Sequence, residues 1–85
     1  MKSQERIKYL QKNRELWQHI DPWDNTLQTR NNMVLLAKVM IKNGVYSPNA
    51  NPHDCMVRKS LRRVIELDEI QTSEIVRFVQ FRVLY

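Results

Sequence analysis

Apolar residues recur at three- and four-residue intervals along most of the chain, broken at "IDPWDN" (20–25) and again at "YSPNANPHD" (46–54). That spacing predicts helices, because residues three and four apart share one face of an α-helix. A first helix is expected from a Ser3 cap to about His19, with Ile7, Leu10 and Trp17 on one stripe and Tyr9, Leu16 and Ile20 widening it. Asp21 and Pro22 stop it, since the residue before a proline is pushed out of helical geometry. A second helix begins between Asp24 and Thr29 and carries Met33, Val34, Ala37, Met40 and Ile41. It ends at "KNGV", where Gly44 takes the left-handed conformation and Val45 folds back toward Met40.

The start of a third helix is read from Asn51 as cap, Pro52 at the first helical position and Asp54 facing the positive end of the dipole. It is expected to run to about Leu67. Val57, Leu61, Val64 and Ile65 fall on one arc, and Arg58, Lys59, Arg62 and Arg63 on the roughly opposite one. The last segment, "TSEIVRFVQFRVLY", is expected to be a further helix opening at Thr72 or Ser73, with Ile75, Phe78, Val79 and Arg82 on one face. Strict alternation in "VQFRV" and the β-branched and aromatic content argue instead for a strand. The fold class is therefore all-α, a small domain of three to four helices over residues 1–85. The alternative is three helices plus a C-terminal β-strand used in pairing or dimerisation.

Eighty-five residues suit one domain. A chain this short buries only ~60% of the surface its unfolded form exposes, so association with a second copy would help it. Cys55 is the only cysteine, which excludes an internal disulfide and fits an intracellular, cytoplasmic setting. No stretch approaches the ~20 consecutive apolar residues of a membrane span. The glutamates and short apolar stripe of the first helix argue for packing over binding a membrane surface.

Chemistry is sparse. A single glycine excludes a glycine-rich phosphate loop. His53 and Cys55, with only His19 beyond them, lack a recurrent zinc spacing, so neither metal nor cofactor is expected. Cys55 reads as a small buried residue of the third helix. Asp21 with Asp24, and Asp68 with Glu69, read as caps or solvated acids, and no enzyme activity is expected.

The basic charge is what carries a functional expectation. Net charge is +5, from 14 Lys and Arg against 9 Asp and Glu, which suits a phosphate polymer or an acidic protein surface. Arg58, Lys59, Arg62 and Arg63 could straddle a nucleic-acid groove, with Arg30 and the N-terminal lysines adding phosphate contacts. The second and third helices would then form a loose helix-turn-helix, since the connection from Gly44 to Asn51 exceeds the three or four residues of the compact motif. Against this stands a plain solvated face, because Glu66, Asp68 and Glu69 can mask the cations. Trp17 and Trp23 are expected to pack together over the end of the first helix. Trp23, Phe78, Phe81 and Tyr85 are the candidate anchors of a protein interface. The expected function is a nucleic-acid-binding regulator, in the first place DNA-binding, with duplex DNA or an acidic protein surface as partner and a homodimer as a further expectation. The alternative is a helical module that binds and modulates another protein.

Overall fold

The computed structural model describes residues 3–47 and 52–83. Among them are three α-helices, one 3-10 turn and no strand: α1 (Ser3–Lys12), the turn Arg14–Leu16, α2 (Leu27–Lys42) and α3 (Asp54–Val83). The all-α expectation is met and the strand alternative is not, because residues 73–83 continue α3. α3 packs against both α1 and α2. One core joins Leu10, Trp17, Ile20, Met33, Leu36, Ala37, Met40, Val45, Tyr46, Val57, Leu61 and Val64.

The first helix ends earlier than its stripe suggests. Both the backbone N–H of Asn13 and its side-chain amide donate to the Tyr9 carbonyl, at 3.0 and 2.9 Å, and close the helix there. Its last carbonyls are then free to find other donors. Leu10 accepts the indole N–H of Trp17 at 2.7 Å, a buried bond that turns the tryptophan into the core through the 3-10 segment. The side chain of Ser3, the expected cap, lies outside the described residues.

Between α1 and α2 the Asp-Pro turn is held by its own polar groups. Trp23 N–H donates to the Asp21 carboxylate at 2.9 Å, and Pro22 is fully buried. Trp23 itself stays 53% exposed and lies outside the core cluster that buries Trp17. Helix α2 starts within the expected window: Thr26 caps it, accepting from Thr29 N–H at 3.3 Å. Asp24 braces this cap by accepting from the hydroxyls of Thr26 and Thr29, at 3.0 and 2.9 Å. Those bonds, led by the one from Thr26 N–H, hold the Asp24 carboxyl below its ordinary range.

The C-terminus of α2 is as the sequence predicts. Gly44 has φ +76°, Val45 N–H reaches back to the Met40 carbonyl at 2.8 Å, and Gly44 N–H to Ile41 at 3.1 Å. Met40 and Val45 are both buried, the apolar contact that accompanies this closure. Tyr46 follows into the core with the Arg6 guanidinium 4.3 Å above its ring, and burial pushes its hydroxyl pKa up.

Helix α3 departs from expectation at both ends. It begins at Asp54, and the His53 carbonyl accepts the first helical bonds from Met56 and Val57; Pro52 is therefore not the first helical residue. Asn51 lies outside the described residues. At the other end the helix runs through the expected stop near Leu67 without interruption. Thr72, read as a possible start, donates its hydroxyl to the Asp68 carbonyl at 2.8 Å inside the helix. Thirty residues give a rod of ~45 Å, and only its first half is packed. Val57, Ser60, Leu61 and Val64 are buried, whereas the described residues from Glu69 to Arg82 are all exposed.

Candidate nucleic-acid interface

The first turns of α3 and the start of α2 form a shallow cleft of about 410 Å³. Arg30, Arg58, Lys59 and Arg62 line it together with Asn25, Asp54 and Cys55. Four of the five predicted cationic contacts thus converge on one surface. Spacing explains the three on α3, since residues 58, 59 and 62 lie within a 100° arc of an ideal helix. Arg30 joins them through the packing of α2 on α3, and its Nε donates to the Asp54 carboxylate at 3.1 Å. This bond is the main reason the Asp54 carboxyl is held below its ordinary range.

Arg63 does not join. It projects toward Glu66, with the closest approach 3.7 Å, so part of the expected masking occurs, on a cation outside the cleft. Asp68 is engaged elsewhere by Arg14 at 3.6 Å. Among the described residues Arg58, Lys59 and Arg62 form no ion pair. Arg58 donates instead to the neutral side chain of Asn25, and Arg62 lies 5.6 Å from the centre of the Trp23 ring. The Nε atoms of both arginines are shielded from solvent, so their stems lie down on the bundle. Among the described residues that line the cleft, Asp54 is the one carboxylate, against four cations.

Cys55 is exposed and lines this cleft, contrary to the expected buried position. Two residues before Val57, it lies well off the arc that α3 buries. Asn25 and Asp54 also line the cleft as parts of it that no sequence signal marked. Trp23, a candidate interface anchor, borders it through Arg62. The other candidate anchors lie far along α3: Phe78 and Phe81 are exposed, and Tyr85 is outside the described residues.

No group of three or more His, Cys, Asp or Glu side chains among the described residues is arranged to hold a metal ion. No described helix is long and apolar enough to cross a membrane. Comparison of the chain with protein-family models, with curated proteins and with solved structures found no match.

Proposed function

We propose that this chain binds nucleic acid, duplex DNA in the first instance, and acts as a regulator through the cleft between α2 and α3. The observation that carries this reading is the convergence of Arg30, Arg58, Lys59 and Arg62 from two helices, three of them in no ion pair among the described residues. Guanidinium groups can fork onto phosphate or guanine edges, and a lysine adds a point charge to the same track. Binding would release counterions from the phosphate backbone, so affinity should be dominated by salt. The early turns of α3 would take the part of a recognition helix in a loose helix-turn-helix, with Arg30 as a phosphate contact beside it.

The test is fluorescence anisotropy of a labelled random-sequence duplex titrated with the protein at several salt concentrations. Affinity should fall steeply with salt, and Arg58→Ala or Arg62→Ala should each reduce the logarithmic slope by ~1. Absence of binding at low salt, or variants that bind like the parent, would overturn the proposal. A second reading, a module that binds another protein, is favoured by a separate observation: the exposed Ile70, Ile75, Phe78 and Phe81 on the free half of α3.

A further inference from the structure

Trp23 holds its ring beside the cations of the cleft instead of in the core. Arg62, which lines the cleft, has its guanidinium 5.6 Å from the centre of that ring. Asn25, two residues further on, also lines the cleft and accepts from Arg58. The segment that carries Trp23 is thus tied to the cleft at two points and forms part of its rim. It is also fixed from within. Trp23 N–H donates to the Asp21 carboxylate at 2.9 Å, Pro22 is fully buried, and Thr26 N–H donates to the Asp24 carboxylate at 3.0 Å. With Arg62 over the ring, Trp23 is still 53% exposed, against 4% for Trp17. An indole left open to water is unfavourable, and its flat face can stack on another π-system.

We propose that the open part of this ring stacks a nucleobase, so that the cleft prefers an unpaired nucleotide, in a single strand or at a break in a duplex, over continuous duplex. The inference rests on the nucleic-acid reading of the cleft and adds to it the form of nucleic acid that is bound best. Continuous duplex keeps its base faces inside its own stack, where a ring on the rim of a shallow cleft reaches none of them unless a base is first unstacked at a cost. An unpaired strand offers those faces freely. The phosphates joined to the stacked base then meet Arg58, Lys59 and Arg62 along the same rim, the combination of charge and aromatic platform that holds single strands without regard to sequence. Arg62 serves both parts, since its planar cation lies over the indole and its charge faces the track of the phosphates. Continuous duplex still binds through its phosphates, more weakly. An acidic protein surface would satisfy the cations too, but it carries no flat ring joined to each charge.

The experiment titrates the full chain at low salt with three probes: oligothymidine of about 16 nucleotides, a mixed-sequence duplex of the same length, and inorganic polyphosphate. Tryptophan emission and the anisotropy of labelled strands are followed. Oligothymidine should bind more tightly than the duplex and quench the emission, and because Trp17 is buried the quenching reports Trp23. Trp23→Ala should weaken oligothymidine binding about tenfold, leave its salt dependence unchanged, and leave duplex and polyphosphate binding as in the parent. Trp23→Phe, which keeps an aromatic face, should retain most of the affinity. Trp23 lies outside the core cluster, so neither change should move the unfolding midpoint. Duplex bound as tightly as oligothymidine, oligothymidine affinity unmoved by Trp23→Ala, or a loss shared equally by polyphosphate would overturn this inference and leave the nucleic-acid reading standing. Binding of neither nucleic acid by the parent would overturn both.

Discussion

Gly44 has a single structural job that no other residue type does cheaply. Its φ of +76° lies in the left-handed region, yet a methyl group added there would meet nothing within 4 Å. The cost of Gly44→Ala is therefore conformational alone, and chemical denaturation should show a loss of ~1 kcal/mol without a change in fold. That role was legible in "KNGV" because the helix-ending bonds span only six residues. Cys55 and Trp23 were not legible from residue type. Cysteine and tryptophan are usually buried, but the phase of α3 turns Cys55 outward, and Pro22 occupies the buried side of the turn that carries Trp23.

At the level of elements, the bond from Arg30 to Asp54 ties the first turn of α2 to the first turn of α3. Because Asp54 titrates below its ordinary range in the folded chain, its contribution to stability is complete above its unfolded pKa and is lost as pH falls through the lower folded value. Asp24, held by the α2 cap, adds a loss of the same sign. The unfolding midpoint should thus be flat near neutrality and fall below about pH 4. In Arg30→Ala the Asp54 carboxyl should titrate nearer its ordinary value in a carbon-detected NMR titration, with the Asp24 titration unchanged. Helix existence was readable throughout, because 3.6-residue periodicity and turn residues are local. Helix ends were less so: α1 stops where Asn13 donates to the Tyr9 carbonyl and the Trp17 indole to that of Leu10, and Trp17 does so only because the core draws its ring in.

For the whole molecule, α3 is two things at once, a core element and a free rod. Amide exchange should separate them. Amides around Leu61 and Val64 should exchange only on global unfolding, whereas those from Ile75 to Arg82 should exchange orders of magnitude faster through local fraying. Equal protection along the whole of α3 would contradict this division. The sequence pointed to Phe78 and Phe81 as anchors but divided the helix near Leu67, since an acidic and polar interval looks like a boundary when only side-chain chemistry is visible. No glycine or proline stands there, and the backbone carries on.

The sequence by itself favoured the all-α class over a C-terminal strand, and determined the break after the first helix, the closure at Gly44 and the grouping of Arg58, Lys59 and Arg62 on one arc of α3. Each of these follows from interactions within a few residues. Tertiary structure decided that Arg30 joins that arc and Arg63 leaves it, that Trp17 is buried while Trp23 borders the cleft, and that the apolar stripe of α3 runs past the end of the bundle. These depend on how three helices pack, which places residues far apart in sequence within bonding distance, and local periodicity carries no record of that.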